Sequence, residues 1–212
     1  MTTPIRAVIW DFGGVLITPI THAIDDVAGW HGTTMVEMLD VLMGPREQST
    51  TDHPWHRAER GEIPIADMQS AVEPWARNAG ITLRGDEYAR LLRGDFDVRD
   101  AVIARIGQLR NEGYVTAMLT NSFREFRPVL EERIDTSVFD IIVDSSEVGH
   151  RKPEPEIYTI ATDMVGVQPG EVLYFDDFAA NIDGAVAAGW QTVHVTGEDH
   201  ILGDLERALA AN

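Results

Sequence analysis

The chain has 212 residues, and 17 Lys+Arg against 35 Asp+Glu give it a formal charge of −18 at pH 7. That length suits one large domain, or a core carrying a smaller insertion, and it buries enough surface to fold without disulfide or metal. The acidity, with no Lys/Arg run to offset it, excludes nucleic acid and anionic membrane as expected partners, and the absence of cysteine excludes disulfide scaffolds, thiol nucleophiles and thiolate metal sites.

The opening Met1-Thr2-Thr3-Pro4-Ile5-Arg6 lacks a basic stretch leading into an apolar one, so no secretory signal is expected. No apolar run approaches the ~20 residues that span a bilayer, and the expectation is a soluble, cytoplasmic protein. The first buried strand is expected at Ala7-Val8-Ile9-Trp10. An excursion of roughly 95 residues follows, far longer than an ordinary crossover. Its apolar residues recur at helical spacing: Ile24, Val27 and Ala28, then Val36, Leu39 and Leu42, then Met68, Val72, Trp75 and Ala76. Thr21, Thr33 and Asp86 are the expected helix N-caps, and Gly44, Gly80 and Gly94 the expected stops.

Strand and helix then alternate. Strands are expected at Val115–Leu119, Ile141–Val143, Val172–Phe175 and Thr192–Val195. Helices are expected over about 98–112, 123–134, 155–166, 179–188 and 199–210. Strands apolar on both faces belong in a parallel sheet covered by helices on each side, a doubly wound α/β fold. Residues 1–16 and 93–212 form its core, and 17–92 a small inserted helical cap.

Ligands of an open α/β sheet bind beyond the carboxyl ends of its strands. Those ends carry Asp11-Phe12-Gly13-Gly14, then Thr120-Asn121-Ser122, then Asp144 with Arg151-Lys152-Pro153 further on, and finally Asp176-Asp177 with Asn181. If the first and fourth strands are neighbours, Asp11, Asp176 and Asp177 share one rim. Two unit charges ~4 Å apart repel by ~4 kcal/mol at an effective dielectric of about 20. Such a cluster either raises one pKa or holds a hard cation, and an all-oxygen set without His or Cys points to Mg²⁺. Lys152, Thr120 and Asn121 add one positive charge and hydrogen-bond donors, a set that fits a phosphate.

In this order the motifs resemble those of the haloacid dehalogenase superfamily of hydrolases. Val8-Ile9-Trp10-Asp11-Phe12-Gly13-Gly14-Val15-Leu16 is similar to its first motif, Leu119-Thr120-Asn121 to the second, Arg151-Lys152-Pro153 to the third, and Phe175-Asp176-Asp177 with Asn181 to the fourth. The segment Trp55–Ile63 resembles the subgroup of the soluble epoxide hydrolase phosphatase domain and a glucose-1-phosphate phosphatase. The resemblance implies a Rossmann-like sheet of order 5-4-1-2-3 with a cap of the first class. It further implies Asp11 as nucleophile forming an aspartyl-phosphate, with Thr120, Lys152, Asn121, Gly13 and Gly14 around the phosphoryl group. Magnesium would be held by Asp11, the Gly13 carbonyl and Asp177, with Asp176 close by and Asn181 bracing the loop. The implied substrate is a small phosphate ester, a sugar phosphate being favoured.

One position departs from the phosphatase pattern. Gly13 stands where those enzymes carry a second Asp, the general acid/base, whose loss typically forfeits ~10²–10⁴-fold in rate. Two alternatives stay open beside the phosphatase: a weakly active metal- and phosphate-binding regulatory protein, and a 2-haloacid dehalogenase-type hydrolase, which also lacks that Asp and needs no metal. From the cap, His22, Trp30, His53, Trp55, His56 and Arg57 are candidates for substrate contact. Trp55 and Trp75 are expected in the cap's own core, the histidines at its surface, with His53 or His56 a possible substitute for the missing acid.

Overall fold

The computed structural model describes residues 3–19, 21–44, 53–87, 96–197 and 200–211, without the side chains of 21–23. Five parallel strands, β1 (Ala7–Trp10), β2 (Val115–Thr120), β3 (Ile141–Asp144), β4 (Val172–Asp176) and β5 (Gln191–His194), form one sheet in the order β3-β2-β1-β4-β5. This is the expected order 5-4-1-2-3 seen from the other edge.

Alternate residues of each strand face opposite sides. Val8, Trp10, Met118, Leu173 and Phe175 enter one apolar cluster with Val102 and Ile106 of α5 (Asp100–Asn111) and Leu205 of α10 (Ile201–Ala210). Ala7, Ile9, Ala117, Leu119 and Tyr174 enter the other, with Ile157 and Tyr158 of α8 (Pro155–Val165) and Ala185 of α9 (Ala179–Ala187). Both faces of the sheet are thus covered, as its unbroken apolar strands require. Between β2 and β4 lie two shorter helices, α6 (Arg127–Arg133) and α7 (Ser145–Val148). The sequence reading missed α7, which is short and has Asp144 as its N-cap, accepting from the Ser146 N–H.

Between β1 and β2 the chain forms α1 (Thr21–Trp30), α2 (Met35–Met43), α3 (Pro54–Glu59) and α4 (Ile65–Asn78). Ile24, Val27, Met38, Leu42, Met68, Val72 and Ala76 close a third apolar cluster, which takes in Phe123 from the loop after β2. The N-cap of α2 is Thr34 rather than Thr33, because Glu37 stands three residues beyond Thr34 and completes a reciprocal capping box. Thr21 begins α1 as its first helical residue, and Asp86 is itself helical, one of residues 85–87 that are so within the described residues. Gly44 caps the end of α2 at φ 73°, and Gly80 follows the Ala79 cap of α4. Gly94 lies outside the described residues. The chain leaves and re-enters the core side by side: Ile17 and Val98 form an antiparallel bridge, and the Arg99 guanidinium donates to the carbonyls of Gly14, Val15 and Ile17.

Candidate active site

Asp11 is the first residue beyond β1, and its N–H donates to the Phe175 carbonyl at 2.9 Å, which fixes it beside β4. One carboxylate oxygen, Oδ1, accepts the Phe12 N–H at 2.7 Å and lies 2.6 Å from Lys152 Nζ. Lys152 is buried, and its Nζ also reaches Asp176 Oδ2 at 2.8 Å and the Tyr174 hydroxyl at 3.0 Å. Burial works against the charge on Lys152, but Asp11 and Asp176 outweigh it and its pKa is raised. The ammonium is a fixed positive charge between two carboxylates.

Asp176 closes β4 and is wholly buried. Its Oδ1 accepts from the Phe178 N–H at 2.7 Å and Asn181 Nδ2 at 3.1 Å; its Oδ2 accepts from Lys152, Asn181 and the Tyr174 hydroxyl. These bonds commit its lone pairs, so Asp176 acts by holding Lys152 and the β4–α9 turn in place. Asp177 lies against Gly14: a Cβ on Gly14, whose φ is +69°, would stand 2.1 Å from Asp177 Oδ2. Glycine is required there both by conformation and by space. At Gly13, by contrast, a Cβ would meet nothing within 4 Å.

Asp11, Asp176 and Asp177 each offer an oxygen within 4.8 Å of the others. Burial pushes the Asp11 carboxyl well above the usual carboxylate range, Lys152 opposes the rise, and Asp176 and Asp177 add to it. Three carboxylates facing one ammonium leave surplus negative charge in a low-dielectric pocket. An oxygen-only donor set with that surplus fits a hard divalent cation.

Thr120 ends β2, and Asn121 follows it with its amide turned onto the Lys152 backbone: Nδ2 donates to the Lys152 carbonyl at 3.0 Å, and Oδ1 accepts the Lys152 N–H at 2.8 Å. Asn121 therefore positions Lys152, and what it can offer a ligand is its main chain. Asn181, in the first turn of α9, is tied to Asp176 and accepts the Tyr158 hydroxyl on its carbonyl at 2.8 Å. Asp11, Gly13, Gly14, Thr120, Asn121, Lys152, Asp177 and Asn181 all border one cavity of about 260 Å³, with Asp176 behind its wall. The strand-tip residues singled out in the sequence are brought together by the register of β1 against β2 and β4.

The residues chosen from the inserted helices divide. Trp55 borders the cavity, packs partly buried against the helical cluster and stands edge-on to Phe123. Its Nε1 donates to Glu59 Oε1 at 2.8 Å, and Glu59 Oε2 accepts from Arg151 Nε at 2.6 Å. The Arg151–Glu59 pair escaped the sequence reading. The i,i+4 spacing of Trp55 and Glu59 on one short helix was its legible half; the partner 92 residues away was not.

His53 and His56 are fully buried rather than at the surface, and neither borders the cavity. His53 is the N-cap of α3: its Nδ1 accepts the Trp55 N–H at 3.2 Å, while Nε2 lies 3.3 Å from the Val41 carbonyl. Burial pushes the pKa of His53 down to about 4 and that of His56 to about 3, the Arg151 charge adding to both. They are neutral at pH 7 and stand in no position to supply the missing acid. Trp75 is 42% exposed rather than core, its ring against His53. Trp30 is exposed, Arg57 pairs with Glu62 at 3.1 Å, and the His22 side chain lies outside the described residues.

Among known proteins the chain is 24% identical to bifunctional epoxide hydrolase 2 of Rattus norvegicus over 96% of its own length and 38% of that protein's. It is 28% identical to sesquiterpene phosphatase astK of Aspergillus oryzae, covering 92% of each, and 28% identical to (S)-2-haloacid dehalogenase 1 of a Pseudomonas strain, covering 91% of this chain and 85% of that one. The chain spans well under half of the longer curated relatives it matches, 19% and 38% of them. A HAD-like hydrolase structure from Porphyromonas gingivalis superposes with a TM-score of 0.72 at 23% identity, over 97% of this chain and 98% of that one, and shares the fold. Among the described residues no helix is long and apolar enough to cross a membrane. The motif order, the sheet order and the clustering of Asp11, Lys152, Asp176 and Asp177 agree with a family model that matches residues 5–189, and the chain belongs to the haloacid dehalogenase-like hydrolase family.

Proposed function

We propose that the protein is a magnesium-dependent phosphohydrolase of small organophosphates, working through an aspartyl-phosphate on Asp11. The observation that carries this reading is the cluster in which Lys152 Nζ lies between Asp11 (2.6 Å) and Asp176 (2.8 Å) while Asp177 faces the same rim. Asp11, the Gly13 carbonyl and Asp177 would hold the cation, which supplies Lewis-acid polarisation of the phosphoryl group when bound. Lys152 neutralises charge on nucleophile and phosphate, and the Phe12 N–H and Lys152 fix the plane of the Asp11 carboxylate. Thr120 and the Asn121 main chain face the phosphoryl oxygens.

An Asp11 carboxylate oxygen attacks phosphorus and the bond from phosphorus to the leaving oxygen breaks. Water then attacks phosphorus, the bond to Asp11 breaks, and inorganic phosphate leaves with the carboxylate restored. With glycine at position 13 and both buried histidines neutral and remote, the leaving oxygen takes its proton from solvent or from the substrate itself. Acidic leaving groups should therefore depart far faster than alkoxides.

The test is acid quench of the protein with p-nitrophenyl phosphate and Mg²⁺, followed by peptide mass mapping. A phosphate adduct on the Asp11 peptide, absent from Asp11→Asn, is the expected result; product formation with no adduct in either protein would overturn the reading. A second reading, 2-haloacid dehalogenation, is favoured by Gly13 and by the similarity to a haloacid dehalogenase. It predicts halide release without metal and no phosphate release at all.

A further inference from the structure

Resting on the phosphohydrolase reading of the same site, we infer that the alcohol part of the substrate is compact and apolar, a branched aliphatic, isoprenoid or aryl group, and not a sugar. Above the polar floor the cavity is walled by Ile24, Leu39, Met43 and Trp55 of the inserted helices, facing Phe123 and Phe178 of the core. The charged side chains at that end are already committed to each other. Glu59 accepts from Trp55 on one oxygen and from Arg151 on the other. Arg151 retains one buried nitrogen, Nη1, without a hydrogen-bond partner, enough for a single acceptor atom. Asn121 has turned its amide onto the Lys152 backbone. Beyond Thr120, Ser122 is the one hydroxyl-bearing side chain among the described residues that border the cavity.

A pyranose phosphate would bring several hydroxyls into this space, where Ser122 and the one Arg151 nitrogen are the uncommitted side-chain partners among the described residues that border it. Each buried hydroxyl left unpaired is costly, while each methylene moved from water against these walls gains roughly fourfold in affinity. The volume of about 260 Å³ lies just below the usual range of small-molecule pockets, which favours a compact organic group. The walls thus select for shape and apolarity where the resemblance to phosphatases favoured a sugar phosphate.

The experiment compares calorimetric binding of non-hydrolysable phosphonates to the magnesium-loaded protein: 3-methylbutyl- and benzylphosphonate against 2,3-dihydroxypropylphosphonate and a glucose phosphonate. The apolar pair should bind at least about tenfold more tightly. Met43→Gln, close in volume, should narrow that gap severalfold while leaving the thermal midpoint nearly unchanged. Equal or tighter binding of the polyol ligands overturns the inference, and so does an unchanged preference in Met43→Gln. Phosphate release from p-nitrophenyl phosphate, measured on the same samples, separates the two claims. Asp11-dependent release with a polyol preference sinks the apolar inference alone. An apolar preference with no release sinks the phosphatase reading alone, binding of none of the phosphonates with Asp11-dependent release sinks the apolar inference alone, and neither binding nor release sinks both.

Discussion

Two adjacent glycines in the β1 loop have opposite reasons for lacking a side chain. Gly14 is held at φ +69° with Asp177 Oδ2 only 2.1 Å from where its Cβ would be, so Gly14→Ala must push Asp177 off the rim. We expect Gly14→Ala to lower kcat at least about 100-fold, by analogy with displaced positioning groups, with the protein still folded by circular dichroism. Gly13 has open space around a Cβ, so Gly13→Asp should fold normally. If the protein is a phosphatase, Gly13→Asp should raise kcat by about 10²-fold or more on alkyl phosphates and much less on p-nitrophenyl phosphate, because only the poor leaving group needs the proton. A plot of log kcat against leaving-group pKa should be steep for the natural chain and flatter for Gly13→Asp. The identity of the strand-tip residues was legible because each follows a short apolar run. The roles of Asn121 and Asp176 were not, since committed lone pairs depend on partners 31 and 24 residues away.

At the scale of elements, α3 joins the inserted helices to the loop that carries Lys152. Its Glu59 meets Arg151 at 2.6 Å with both side chains 6% exposed, and Arg60 meets Glu154 at 3.1 Å beside it. Gly61, at φ +69°, lets this turn lie against the core, where a Cβ would stand 2.3 Å from the Ser146 carbonyl. Breaking a buried pair leaves an uncompensated charge, so Glu59→Gln and Arg151→Met should each cost about 3–5 kcal/mol in urea unfolding. The double variant should cost clearly less than the sum, and strict additivity would show that the pair is not coupled. The strands and longer helices were readable from periodicity, while α3 and α7 were too short to show a period and are held by capping and tertiary contacts. His53 and His56 were misplaced for the same reason: tertiary packing that so short a segment does not show in its sequence buries both.

For the whole molecule, those buried histidines tie stability to pH. Both have folded pKa values depressed below the ordinary 6.5, to about 4 and about 3. The unfolded chain therefore binds protons first, so the stability they confer is complete above pH 6.5 and is lost as pH falls toward their folded values. Between pH 6.5 and 5 the unfolding free energy from urea titration should lose up to about 1.4 kcal/mol per pH unit for each histidine. The raised Asp11 carboxyl works in the opposite direction, so the test is the difference between chains: His56→Gln should lose one histidine's share of the slope, and identical profiles for the two chains from pH 7 to 5 would contradict the burial of His56.

The central claim, that Asp11 is the nucleophile of a metal-assisted phosphohydrolase, is tested most directly by p-nitrophenyl phosphate turnover in Mg²⁺ and in EDTA, for the natural chain and for Asp11→Asn. The account predicts phosphate release that requires Mg²⁺ and disappears in Asp11→Asn. Release that persists in EDTA or in Asp11→Asn, or metal-independent halide release from a 2-haloacid with no phosphate release, would contradict it.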